Sequence, residues 1–242
     1  MMWSDTGVVL SSQKYGENYK MVSILTENHG KVLGLSRILN RNSFSLLSNV
    51  SVDMFKKNSS YNLGFWTKKH ERQNWIYIFG SELHIMFCQS ICLMLDKTLP
   101  QGVLYTNIFN FLTFLTKNLN DLSEEDIYVL HIYFEFLLLK ETGFGFDIRH
   151  DVHFISPKTG RTVSENMGFS HKDKLFEMPK IWHKWNTIGE YREVLDAEIC
   201  NIELLNSLKI SWYFINKNIC IIQNSFRDSI ISKFSESPKF PK

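Results

Sequence analysis

The period of the apolar positions changes along the chain. Over the first part it alternates in short runs. Gly7-Val8-Val9-Leu10 opens a strand, and Met21-Val22-Ser23-Ile24-Leu25-Thr26 alternates and is partly β-branched. Glu27-Asn28-His29-Gly30 follows, with a glycine where a hairpin loop needs positive φ, and Lys31-Val32-Leu33-Gly34-Leu35-Ser36 is the return strand. Val50 to Phe55 and Tyr61 to Thr67 predict two more strands, joined by the polar turn Lys56-Lys57-Asn58-Ser59-Ser60. Five short strands in about 75 residues point to a small barrel rather than a parallel sheet, with the OB-fold as the candidate.

Beyond that point the spacing becomes helical. Glu82 to Leu99 repeats apolar residues every three or four positions and stops at Pro100, and Val103 to Leu119 is the next segment. Ser123-Glu124-Glu125-Asp126 supplies an N-cap serine with acids in the first turn, opening a helix that ends at Gly143. Val152 to Ser156, Pro157-Lys158-Thr159-Gly160 and Arg161 to Val163 predict a small hairpin. Glu190 to Asn216 predicts one long helix, with room for a break, and Phe226 to Phe234 a last short one. The expected class is therefore α+β: an N-terminal barrel over residues 1–78, then a helical domain over residues 79–242 with a small hairpin inserted.

At 242 residues the chain can bury a real core without staples. The longest apolar runs, such as Phe136 to Leu139, fall far short of the about 20 residues that span a bilayer, so no membrane partner is expected. Met1-Met2-Trp3-Ser4-Asp5 has neither the basic nor the apolar region of a signal peptide. Four cysteines do not make a disulfide framework, so a reducing cytoplasm is the expected location.

The net charge of +2 hides an asymmetry. Residues 1–80 hold ten Lys and Arg against five Asp and Glu, and the remainder holds 17 against 20. The ten are Lys14, Lys20, Lys31, Arg37, Arg41, Lys56, Lys57, Lys68, Lys69 and Arg72. An OB barrel binds nucleic-acid strands through a cationic groove and aromatic platforms, so these ten are the candidate nucleic-acid-binding set, with Tyr15, Tyr19 and Trp66 as candidate stacking rings. The plain alternative is that the lysines are solvated surface and the rings core or rim.

Other chemistries find little support. His84, Cys88 and Cys92 share a helix face, but cysteines on an apolar face are small buried hydrophobes, and no CxxC pair exists. No metal and no cofactor is expected. Gly143-Phe144-Gly145 lacks the third glycine of a dinucleotide fingerprint, and Gly30-Lys31-Val32 lacks the upstream glycine and the Ser/Thr of a P-loop. Glu124, Glu125 and Asp126 suit a helix dipole better than acid–base work. Nothing pairs a nucleophile with a base, so no catalytic residue is assigned.

Several stretches together resemble the bacterial RecO family of recombination mediators. They are Trp3-Ser4-Asp5-Thr6-Gly7-Val8-Val9-Leu10-Ser11, then Lys14-Tyr15-Gly16-Glu17 with Val22 to Thr26 and His29-Gly30-Lys31. Phe134-Glu135-Phe136-Leu137-Leu138-Leu139 with Thr142-Gly143-Phe144-Gly145-Phe146-Asp147 resembles the family's central helix and glycine turn. Ser156-Pro157-Lys158-Thr159-Gly160-Arg161-Thr162-Val163-Ser164 resembles a hairpin of one branch. The resemblance implies an N-terminal OB-fold, a helical C-terminal domain, and a non-enzymatic, nucleoid-associated role. It implies binding of single- and double-stranded DNA and annealing of complementary strands. It also implies contact with the acidic C-terminal tail of single-stranded-DNA-binding protein, and partnership with RecR in loading the recombinase RecA. Two departures stand out. Some relatives carry zinc-binding cysteines after the glycine turn, where this chain has Arg149, His150, Asp151 and His153. Relatives often have an arginine where this chain has Tyr133, two residues before Glu135, which bears on the acidic-tail contact. The competing readings are a protein–protein adaptor whose barrel ignores nucleic acid, and an RNA-binding barrel.

Overall fold

The computed structural model describes residues 2–38, 44–56, 63–72, 81–149, 151–164, 168–196, 200–219 and 223–236. Five strands close into a barrel in the order β1-β2-β3-β5-β4: β1 (Met2–Tyr15), β2 (Tyr19–Thr26), β3 (Gly30–Arg37), β4 (Asn49–Phe55) and β5 (Gly64–Arg72). All neighbours are antiparallel except β3 and β5, which run parallel at Gly34–Gly64 and Leu35–Phe65. Strand β1 is long enough to pair with β4 through its first half and β2 through its second. A bulge between Val9 and Ser11 bends it from one partner to the other, the usual device for turning a barrel corner.

The barrel interior is built by alternation. Val9, Val22, Ile24, Val50, Val52, Met54 and Trp66 point inward, joined by Phe44, with Trp3 and Val32 packed against them. Gly34 lets Trp66 fit, since a Cβ there would lie 2.7 Å from the indole nitrogen. Gly30 takes φ +67° in the β2–β3 turn, and an added Cβ would overlap the Val103 carbonyl.

Helices α1 (Glu82–Thr98) and α2 (Thr106–Asn118) belong to the same compact unit, which comprises Met1–Leu122 with Asn224–Asp228. The Cys92 thiol points at the Val9 carbonyl, 3.8 Å away. The boundary expected between residues 78 and 79 lies outside the described residues.

The second compact unit comprises Ser123–Gln223 with Ser229–Lys242. Its central helix α3 (Glu124–Glu141) starts with a capping box: the Ser123 hydroxyl accepts from the Asp126 amide, and the Asp126 carboxylate accepts from the Ser123 amide. From Ile127 to Leu139 this helix is buried nearly all round, as a helix apolar on every side must be. Strands β6 (Val152–Ile155), β7 (Thr162–Ser164) and β8 (Phe176–Glu177) form a small sheet in the order β7-β6-β8. The β6–β7 hairpin is the expected one, while β8 and the short α4 (Ile181–Asn186) carry too few residues to show a period. The helix expected over Glu190 to Asn216 is not continuous. Tyr191–Val194 is a 3-10 turn, and α5 (Asn201–Asn218) begins after Cys200, whose extended backbone (φ −79°, ψ 151°) breaks the helical path. The last helix, α6, is Ser225–Glu236. Among the described residues no helix is long and apolar enough to cross a membrane.

Candidate nucleic-acid interface

The residues that alternate with the barrel core face outward, and strand register lines several of them up. Met21 lies opposite Leu35, Leu35 beside Phe65, Phe65 opposite Phe55, and Phe55 opposite Met2. One apolar row therefore crosses all five strands on the outer wall. Phe65 is 39% exposed, Phe55 46% and Met2 67%. The Tyr19 ring sits 5.9 Å from that of Phe65, and Tyr15, opposite Tyr19, is 51% exposed. A connected apolar surface left in water costs free energy, so a patch of this kind marks a binding site more often than chance. Flat rings in a row are what single-stranded bases stack on.

The structure divides the ten candidate cations. Lys14 is exposed at the end of β1, Lys20 is half-buried opposite it on β2, and Arg37 is exposed opposite Tyr19 at the end of β3. Lys31 is buried: its ammonium donates to the Asp96 carbonyl at 2.5 Å, in the last turn of α1. Burial lowers its pKa, against the pull of the Asp96 carboxylate. Lys68 pairs with Glu71 at 2.6 Å and lies 5.5 Å over the Phe44 ring. Lys69 pairs with Asp53 at 2.7 Å and approaches the Ser4 hydroxyl at 3.3 Å. Lys56 follows β4, half-buried, and the backbone of Arg72 ends β5 opposite Asn49. Arg41 and Lys57 lie outside the described residues. The ten thus do not form one patch of equivalent charges. Lys14, Lys20 and Arg37 adjoin the exposed rings, whereas Lys31, Lys68 and Lys69 are engaged within the protein. Trp66, one of the three candidate rings, is core: it is buried and donates its indole N–H to the Val22 carbonyl at 3.2 Å.

Phe55 and Phe65 escaped the sequence reading. The signal was there, since each lies next to a core residue, Met54 or Trp66, and must face the other way. What could not be read was the register that brings them side by side.

Three acids of the barrel, Glu71, Asp53 and Asp5, have their pKa values lowered. Burial works to raise the Glu71 pKa, but hydrogen bonds from Lys68, the Ser45 amide and the Ser48 hydroxyl bring it below its ordinary value. Hydrogen bonds from Lys69 and Ser4 lower that of Asp53. Asp5 is opposed by burial yet lowered by His29 and by Asn28 and Thr6 donors.

Among the described residues no group of three His, Cys, Asp or Glu side chains is placed to hold a metal ion. His84 has both ring nitrogens engaged, with the Ser81 hydroxyl at 2.8 Å and the Leu122 carbonyl at 3.0 Å. Burial pushes the Cys88 thiol up to about 12 and Cys92 well above its ordinary value, so neither supplies a thiolate.

Comparison with known proteins decides the family. The family description "Recombination protein O N terminal" matches residues 1–63, and "Recombination protein O C terminal" matches residues 83–181. The chain belongs to the RecO family. The DNA repair protein RecO of Wolbachia sp. subsp. Drosophila simulans (strain wRi) is 29% identical over 237 residues, 93% of this chain and 95% of that protein. Its namesake in Anaplasma marginale (strain Florida) is 26% identical over 95% of this chain and 96% of its own. That of Cereibacter sphaeroides (strain ATCC 17023) is 29% identical over 190 residues, 74% and 78% of the two chains. Membership places the chain among DNA repair proteins, and the closed barrel followed by helices is consistent with the RecO architecture of an OB-fold and a helical domain.

Tyr133, two residues before Glu135, is buried, with ring contacts to Trp185 at 5.5 Å and Tyr191 at 6.2 Å. Burial raises both phenols, that of Tyr191 to about 12. Glu135 is fully buried and accepts a 2.5 Å hydrogen bond from the Ser211 hydroxyl on α5. In the stretch after the glycine turn, Arg149 pairs with Asp147 at 3.2 Å, and His150 lies outside the described residues.

Proposed function

We propose that the chain is a non-enzymatic recombination mediator in DNA repair. It binds single- and double-stranded DNA through the barrel, anneals complementary strands, and works with RecR to load RecA onto DNA coated by single-stranded-DNA-binding protein, whose acidic tail it contacts. The observation that carries the DNA part is the row of exposed Phe55, Phe65 and Tyr15 with the half-buried Tyr19, bordered by Lys14, Lys20 and Arg37. Rings take the bases, and cations neutralise the phosphates with release of counterions. Family membership supports the partners. Annealing needs no acid, base or nucleophile: it needs two strands held with their pairing edges free, which stacking on a base's face permits.

The test is annealing of complementary labelled oligonucleotides, bare or coated with single-stranded-DNA-binding protein, with and without the chain. Acceleration in both cases is expected. A chain that leaves both rates unchanged and ignores an oligonucleotide at low salt is a protein adaptor instead, and a preference for RNA would move the barrel to the other nucleic acid.

A further inference from the structure

At the barrel end capped by the β1–β2 turn, the inner face of the wall becomes polar. Val22 is core and lies opposite Ser12, so Ser12 shares the inner face. Two residues further along each strand, Lys14 stands opposite Lys20, and Lys20 stands opposite Ser36 on β3. These residues therefore sit on the inner side of the rim, above Trp66. Two features need an explanation. Directly opposed like charges on neighbouring strands destabilise a sheet. Lys14 and Lys20 are such a pair, and among the described residues neither enters an ion pair; Glu17, in the turn between them, is exposed and joins neither. The hydroxyl oxygens of Ser12 and Ser36 are also buried without a hydrogen-bond partner, which carries its own cost. The lysines Lys68 and Lys69 of the same barrel are neutralised by Glu71 and Asp53. The rim pair differs from both.

We propose that Lys14 and Lys20, with the Ser12 and Ser36 hydroxyls, form a clamp for a phosphodiester group of the bound DNA strand. The inference rests on the DNA-binding reading above and assigns its phosphate contacts. A phosphate between the two ammonium groups turns their repulsion into attraction, and its oxygens accept from hydroxyls that otherwise donate to nothing. Tyr15 and Tyr19, the next residues outward on each strand, face the other side of the same rim. One strand passing over the rim meets rings for its bases and the clamp for its backbone. Long, flexible lysine stems allow the ammonium groups to reach over the edge.

The experiment is binding of a fluorescent single-stranded oligonucleotide across a salt series, with the parent, K14M/K20M, S36A and K69M. Each phosphate contact contributes about 0.7 to the slope of log affinity against log salt, so K14M/K20M is expected to lose about 1.4 in slope. At 0.1 M salt this is an affinity loss of roughly ten- to thirtyfold. S36A should weaken binding with the slope unchanged, since a hydroxyl carries no charge, and K69M should keep the parent slope. Removing an opposed like-charge pair should leave K14M/K20M melting at or above the parent temperature, which separates loss of binding from loss of fold. A parent that binds while K14M/K20M keeps its slope and affinity overturns the clamp and leaves the DNA reading standing. A parent that binds no oligonucleotide overturns both.

Discussion

Both compact units are rich in aromatic residues and use them in opposite ways. In the second unit Tyr133, Phe136, Trp182, Trp185 and Phe214 are buried, with ring centroids 5.0–6.0 Å apart along Phe214–Phe146–Trp182–Phe136–Trp185–Tyr133. In the barrel Trp66 is core, but Tyr15, Phe55 and Phe65 stay on the outer wall. The same residue type supplies cohesion in one place and an exposed surface in the other. Burial separates the two uses, and composition does not.

The contrast can be broken most forcefully by trimming one ring of each kind. Trp182→Ala opens a cavity in a fully buried site and should cost about 3–5 kcal/mol in urea unfolding. Phe65→Ala, on the wall, should change stability by no more than about 0.5 kcal/mol while weakening oligonucleotide binding. Equal losses of stability from both would erase the distinction.

The same contrast holds among the cations. Glu71→Ala leaves Lys68 half-buried without its carboxylate, and also strips partners from the Ser45 amide and Ser48 hydroxyl. A loss of about 1–3 kcal/mol is expected by chemical denaturation. Lys69→Met removes an ion pair whose lysine is half exposed, and should leave the melting temperature unresolved from the parent.

A smaller effect is the acid response. Asp5 and Glu71 have pKa values below their ordinary ones in the fold, so the unfolded chain binds more protons in that range. Their stabilisation is present at neutral pH. It fades as pH falls below the ordinary carboxylate value of about 4 and through the lowered folded values. Asp5→Asn should therefore flatten the decline of melting temperature between pH 5 and 3, in buffers spanning about that range. A parent whose melting temperature does not fall there contradicts the assignment.

Much of the architecture was legible because it rests on local pattern. The strands at Met21 to Thr26 and Val50 to Phe55 alternate, the turn at Gly30 needs a glycine, and Ser123 with Asp126 closes a helix start. The position of the break before Asn201 was not, because residues on both sides of Cys200 continue a helical composition. The candidate interface showed in the sequence as a charge excess and no further. Whether a lysine is free depends on which acid folds beside it: Asp53 is 16 residues from Lys69, and the carbonyl that takes Lys31 is that of Asp96, 65 residues away. Register, too, is a long-range property, and it alone sets Phe55 beside Phe65 and Lys14 beside Lys20.

The central claim is that the outer wall of the barrel receives a single strand. Titration of a labelled oligonucleotide with the parent and with F55A/F65A tests it most directly. Stacking on an aromatic ring is worth about 1–3 kcal/mol per base, so the double variant should bind at least about tenfold more weakly while melting like the parent. A variant that folds and binds as tightly as the parent would contradict the account and send the DNA to another face of the molecule.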